Sequence, residues 1–136
     1  MVDKDLRQRM AARIEEGEFG VGDLPDFLDL FCQVCNDSPD VRDEVKGWNR
    51  KLQLRLAEGD LYWLAVRDGA FTCGKGALDG AELTLAATGA VAAGIFCGEK
   101  DATSAYMSGA LKVEGQLPDA VKLRTLIGIV REEVEG

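Results

Sequence analysis

Histidine is absent from this 136-residue chain. That gap removes the commonest general base, the side chain that switches charge near neutral pH, and the commonest metal ligand. Long apolar runs are missing as well. Nothing approaches the ~20 apolar residues of a membrane-spanning helix, and residues 1–16 are charged throughout, without the apolar run of a secretory leader. Positive charge is scarce, with 16 Lys and Arg against 24 Asp and Glu, for a net charge of −8. Phosphate backbones need a basic face, so a nucleic-acid partner is disfavoured, as is tight docking on an anionic lipid surface. The expectation is a cytoplasmic protein with reduced thiols and no stable membrane insertion.

What is present fits one globular domain. Hydrophobic residues make up 46% of the chain and charged residues 29%, ordinary proportions for a soluble fold. A chain of this length buries about two-thirds of its unfolded surface, enough for one core.

The motifs that could carry covalent chemistry fail on spacing. Cys32-Gln33-Val34-Cys35 has the form of a redox or zinc-knuckle pair. Reactive thiols of that form sit at a helix N-terminus, where the dipole lowers their pKa. These two lie nine or more residues into an expected helix. Cys73 and Cys97 are too far apart in sequence to supply the second half of a zinc site. Burial in a core is the favoured reading for the pair, with a thiol redox enzyme as the outside alternative. Gly74-Lys75-Gly76 is no phosphate loop, because the spacing is wrong and no Ser or Thr follows the Lys. Turns and bulges are the expected use of the glycines from Gly69 to Gly80. The carboxylates fall at caps and turns rather than in pairs, and Ser104 and Ser108 lack a base. No catalytic residue, metal or cofactor is expected, and the chain reads as a non-enzyme.

Periodicity gives the elements. Asp3 to Glu16 reads as a polar helix whose seam is only Leu6, Met10 and Ile14, too narrow to enter a core. A Gly- and Glu-rich loop runs to Gly22. Asp23 opens a strongly amphipathic helix bearing Leu24, Phe27, Leu28, Phe31, Val34 and Cys35, and Ser38-Pro39 starts a short third helix. From Trp48 the period becomes two. Strands follow at Leu52–Leu56, Leu61–Val66, Ala70–Lys75 and Glu82–Ala87, separated by turns such as Asp68-Gly69. Leu61–Val66 is apolar on both faces, the mark of a strand covered on both sides. Thr88 opens a small-residue helix to Gly98, and Asp101 caps another through Met107. A short strand at Leu111–Glu114 then leads through Gly115 into a long apolar helix beginning at Pro118. Strands in hairpins with helices packed on them make an α+β domain, with the last strand expected to pair parallel to its neighbour after a helical crossover.

The segment Tyr106-Met107-Ser108-Gly109, then Leu111-Lys112-Val113-Glu114-Gly115, then Ala120-Val121-Lys122-Leu123, resembles the sterol carrier protein family of small lipid-transfer domains. The resemblance covers roughly the last hundred residues. It implies a five-stranded, mostly antiparallel curved sheet with helices over one face and an apolar tunnel between the layers. Residues 23–136 would form that domain. Residues 1–22 would be an extension that caps the sheet, mediates self-association or is disordered.

The apolar positions Leu54, Trp63, Phe71, Leu85, Val91, Ile95, Phe96, Met107, Leu111, Leu123 and Ile127 are the candidate interior. Pattern alone does not separate a filled core from one that holds a hydrocarbon guest, since both are lined by the same residue types. Little side-chain volume in the helix from Gly89, and a flexible Met107, lean toward a cavity. With the resemblance added, Trp63, Phe71, Leu85, Val91, Ile95, Phe96, Met107, Leu111, Leu123 and Ile127 are the expected ligand-binding set. The partner would be a lipid or acyl chain: a fatty acid, fatty acyl-CoA or sterol-like molecule. Each buried methylene contributes about 0.8 kcal/mol, so ten give on the order of 8 kcal/mol before ordering costs. The terminal helix is expected to gate the mouth. The alternative is a structural module, a homodimerising one for instance, with the same fold and no retained ligand.

Overall fold

A computed structural model describes residues 2–135. Six helices and five strands follow in the order α1 (Lys4–Glu15), α2 (Leu24–Asp37), α3 (Pro39–Glu44), β1 (Arg50–Leu56), β2 (Leu61–Arg67), β3 (Ala70–Lys75), β4 (Leu83–Ala87), α4 (Gly89–Cys97), α5 (Ala102–Ser108), β5 (Lys112–Gly115) and α6 (Leu117–Glu135). A 3-10 turn, Val21–Asp23, precedes α2. The architecture is α+β with one five-stranded, mostly antiparallel sheet, ordered β3-β2-β1-β4-β5.

One pairing is parallel, and it is β1 with β4; β5 pairs antiparallel with β4. The parallel step therefore falls earlier than expected. β1, β2 and β3 form a meander, and the chain then returns past β2 and β1 to add β4 on the far side. The return segment is held by Gln53. Its Nε2 donates to the carbonyls of Tyr62 (2.7 Å) and Gly76 (3.0 Å), and its Oε1 accepts from Leu78 N at 2.7 Å. A buried amide with donor and acceptor both satisfied fixes this crossing without leaving a polar group stranded.

Strand register sorts the side chains. Leu52, Leu54 and Leu56 share a face with Tyr62, Leu64, Val66, Phe71, Cys73, Leu83, Leu85, Ala87 and Val113. This is the face the helices cover. The other face carries Leu61, Trp63, Ala65 and Thr72, which are half-buried or exposed. β2 is therefore covered on one side, and its second side, with Leu61, Trp63 and Ala65, stays half-buried. Trp63 lies over Gly74, its partner on β3, where a Cβ would press into the ring. Gly74 is thus a seat for tryptophan inside a strand and takes no part in a turn.

Helix α2 fills the space over β2 and β3. Leu24, Phe27, Leu30 and Phe31 are fully buried, and Phe27 and Phe31 meet Phe96 of α4 edge-to-face at 6.1 and 6.2 Å. Asn36 at the end of α2 also closes the free edge of the sheet. Its amide accepts from Phe71 N at 2.7 Å and donates to Phe71 O at 3.0 Å, in place of a neighbouring strand.

The narrow seam of α1 does enter the core. Leu6 and Met10 are buried, Met10 completely, and α1 packs on α2 and α6. Three apolar residues suffice because a long Met reaches past the helix surface into an irregular gap. Asp23, expected as the cap of α2, instead takes Arg13 Nε at 2.8 Å and Gly20 N at 3.0 Å, which ties the loop to α1.

Candidate ligand-binding site

Over the other half of the covered face the layers do not close. The β1, β4 and β5 side of the sheet faces α4, α5 and α6 across an apolar cavity of about 290 Å³. Leu54, Leu85, Ala87 and Val113 form its floor, with Leu111 just before β5. Ala92, Ile95 and Phe96 of α4 make one wall, Ala102, Thr103, Tyr106 and Met107 of α5 another, and Leu117 to Ile127 of α6 the third. A second depression of about 410 Å³ is a different kind of place, lined by Lys4, Arg7, Asp37 and Glu133 as well as Val2 and Val34.

Local sequence explains why a gap stays open here. The floor and walls are punctuated by alanines: Ala87, Ala92, Ala102 and Ala120. α5 is a short helix between two fixed ends. Asp101 caps it, accepting from Ser104 N at 3.0 Å and Ser104 Oγ at 2.9 Å, and these bonds hold its carboxyl below the usual aspartate range. Gly109 ends it at φ +85°. So anchored, α5 stands beside the sheet and leaves the span between them unfilled.

The glycines of α4 have another use. A Cβ at Gly89 would strike Val21, and one at Gly94 would strike the Lys100 stem. They permit close packing on the outer side of the helix, whereas the alanines supply the open volume.

Seven expected ligand-binding residues line the cavity together: Leu85, Ile95, Phe96, Met107, Leu111, Leu123 and Ile127. Three lie elsewhere. Trp63 is on the uncovered face of the sheet, because the covered-face position of β2 belongs to Tyr62. Phe71 is in the filled half, under α2. Val91 packs with Ala87, Ala105 and Leu111 outside the cavity. Residues that sequence reasoning passed over complete the lining: Val113, Tyr106, Leu117, Val121, Thr103 and Arg124. Val113 was legible as the inward residue of β5. Val121 was legible on the apolar stripe of the terminal helix, though not as lining; the rest sit on outward turns of helices and read from pattern as surface.

They are indeed surface, and that makes a mouth. Met107 is 79% exposed, Val121 52%, Leu117 50% and Tyr106 42%. Large apolar side chains that remain this open form a rim between α5 and α6, the edge of a patch that water wets poorly. Helix α6 stands as an anchored wall of the cavity. Its Leu126 and Val130 are fully buried, Asp119 is bonded to Trp48 and Arg50, and Lys122 Nζ donates to Glu44 O at 2.9 Å.

The cysteines form no site of the spacing that flagged them. All four are free, and Cys32, Cys35 and Cys97 are buried. Cys73 Sγ donates to Leu28 O at 3.5 Å across the α2–β3 contact. The Cys73 thiol beside it, together with burial, raises the Cys32 thiol, and the neighbouring Cys32 lowers Cys73; burial raises Cys35. Among the described residues there is no group of His, Cys, Asp and Glu able to hold a metal ion, and no helix is long and apolar enough to cross a membrane.

Comparison with known proteins gives the same fold. The family model described as the SCP-2 sterol transfer family matches residues 28–128. No curated protein matches the sequence. Among solved structures, a sterol carrier protein 2 crystal structure superposes with a TM-score of 0.62 at 21% identity, covering 78% of this chain and 94% of that one. Palmitated SCP2L2 from Aedes aegypti gives 0.55 at 14% identity, covering 74% and 90%. The stereoselective inverting sec-alkylsulfatase Pisa1 from Pseudomonas sp. gives 0.54 at 22% identity, over 64% of this chain but only 14% of that protein. This chain therefore corresponds to a small part of the sulfatase's length.

Proposed function

The chain belongs to the SCP-2 sterol transfer family, and on that footing we propose that it binds and carries an apolar lipid in the cavity between sheet and helices. The observation that carries this reading is the half-open layer. One half of the covered sheet face is packed solid by α2, while the other half, built by the same chain, keeps a cavity of about 290 Å³ with apolar walls and an exposed apolar rim. A void of this size lined by Leu, Ile, Phe and Ala forfeits packing energy unless something fills it. It lies near the lower end of the range of small-molecule pockets, ~300–1,000 Å³, a fit for a single hydrocarbon chain. Fatty acids and fatty acyl groups are the leading ligands.

The action is sequestration without chemistry. The cavity's polar side chains are Thr103, Tyr106 and Arg124, and the lining holds no nucleophile with a base beside it. Burial of the chain supplies the affinity at about 0.8 kcal/mol per methylene. The rim of Met107, Tyr106, Leu117 and Val121 is the route of entry and exit. Native mass spectrometry of protein equilibrated with long-chain fatty acid tests the proposal: one acyl chain per polypeptide is expected. An empty protein under those conditions, with a tight dimer, would instead favour the structural module.

A further inference from the structure

We infer that Arg124 is the headgroup-reading residue of this cavity, and that it selects a hydrocarbon chain ending in a single carboxylate. The inference rests on the lipid-carrying reading above. It comes from where the charges stand. Among the described residues Arg124 is the one formally charged side chain lining the apolar cavity, and it sits on α6 at the mouth, among the exposed rim residues Val121 and Tyr106. Its Nη1 donates to Thr103 Oγ1 on α5, so a hydrogen bond spans the opening from one wall to the other. That partner is neutral. Among the described residues no carboxylate lies within ion-pair distance of Arg124, whereas the neighbouring cation on α6, Lys122, is paired with Glu44. The nearest acidic influence is Asp101, whose carboxylate is already engaged by Ser104 N and Oγ.

A guanidinium offers five donors in a planar fork that matches a carboxylate. Thr103 takes one of those donors, and among the described residues the guanidinium makes no other hydrogen bond. A chain whose tail fills the space over Leu54, Leu85 and Ile127 would bring its head to this point. A fatty alcohol or ester would satisfy the tail equally well but gain nothing from the charge. A dianionic phosphate would bring one charge more than Arg124 neutralises, close to Asp101 and on a protein of net charge −8. One cation, one hydroxyl and a nearby acid therefore favour a monoanion.

The experiment compares dodecanoate, 1-dodecanol and dodecyl phosphate on wild type, Arg124→Gln and Arg124→Lys by calorimetry. Arg124 is exposed and holds one neutral hydrogen bond, so the variants keep the fold, and unchanged dodecanol binding confirms it. Arg124→Gln is expected to weaken dodecanoate by about tenfold or more, the scale of one hydrogen bond to a charged group, and to leave dodecanol unchanged. Arg124→Lys should recover part of the loss. Dodecanoate affinity that is the same in wild type and Arg124→Gln, or an equal loss for dodecanoate and dodecanol, overturns the inference and leaves the carrier reading standing. Stronger binding of dodecyl phosphate than of dodecanoate overturns the assignment to carboxylate. If none of the three chains binds wild type, the carrier reading fails and this one with it.

Discussion

Trp48 Nε1 donates to Asp119 Oδ1 at 2.8 Å, joining residues 71 apart in sequence, while Asp119 Oδ2 takes Arg50 Nε at 3.1 Å. Arg50 also lies over the Trp48 ring at 6.0 Å. Asp119 is in the first turn of α6, where a carboxylate also meets the positive end of the helix dipole. This junction fixes the start of α6 to the start of β1, and so sets the height of the cavity's third wall. Asp119→Ala strands a buried indole N–H and leaves Arg50 only its bond to Asn49 O at 2.8 Å and its 3.8 Å ion pair with Glu82. It is expected to cost about 2–4 kcal/mol in a denaturant unfolding experiment. Asp119→Asn, which keeps an acceptor for Trp48, should cost clearly less; equal losses would mean that the charge on Arg50 dominates the junction.

Filling the cavity should block the ligand without harming the fold. Ala120 is half-buried on α6 and lines the space. Ala120→Phe places a ring in an existing void, so Tm should fall by a few degrees at most while the affinity for fatty acid drops tenfold or more, read by fluorescent-probe displacement. Retained affinity would place the ligand elsewhere.

Two glycines next to the site carry different loads. At Gly115, φ is +126° and a Cβ would meet the backbone carbonyl of Glu82, which cannot swing away. At Gly98, φ is +82° and a Cβ would overlap the Arg131 guanidinium, the flexible end of a long side chain. Gly115→Ala should destabilise by about 1–3 kcal/mol, and Gly98→Ala by about 1 kcal/mol. Thermal melts of the two variants give the order directly.

Cysteine reactivity should single out Cys73. It is the one thiol that is not buried, and the neighbouring Cys32 thiol lowers its pKa. A lowered pKa puts the thiolate, the reactive form, within reach at lower pH. Alkylation followed by mass mapping should label Cys73 first, with a half-maximal rate at a lower pH than for an ordinary thiol. Cys32→Ala removes that neighbour and should move the midpoint upward. Labelling of Cys32 and Cys35 together at the outset would contradict the burial of both.

The α+β class, the positions of all five strands and the apolar stripe of α2 could be read from the linear chain, because each depends on local periodicity and on caps such as Ser38, Thr88 and Asp101. Such signals act over a few residues and survive without tertiary context. β2 shows where this stops. Tyr62, Leu64 and Val66 alternate with Leu61, Trp63 and Ala65, and alternation alone cannot say which set meets the helices. The large indole drew the choice to Trp63, but pairing with β1 and β3 placed it over Gly74 on the uncovered face.

The cavity belongs to tertiary structure for the same reason. Leu85, Ile95 and Leu123 have the side chains of any small core, and so do Phe71 and Val91, which lie outside it. Composition settled that the interior would be apolar. Whether that interior closes depends on how far α5 and α6 stand from β4 and β5, and the position of α6 follows from long-range ties: Trp48 to Asp119 and Lys122 to Glu44. Those bonds join residues 71 and 78 apart, beyond the reach of any local pattern.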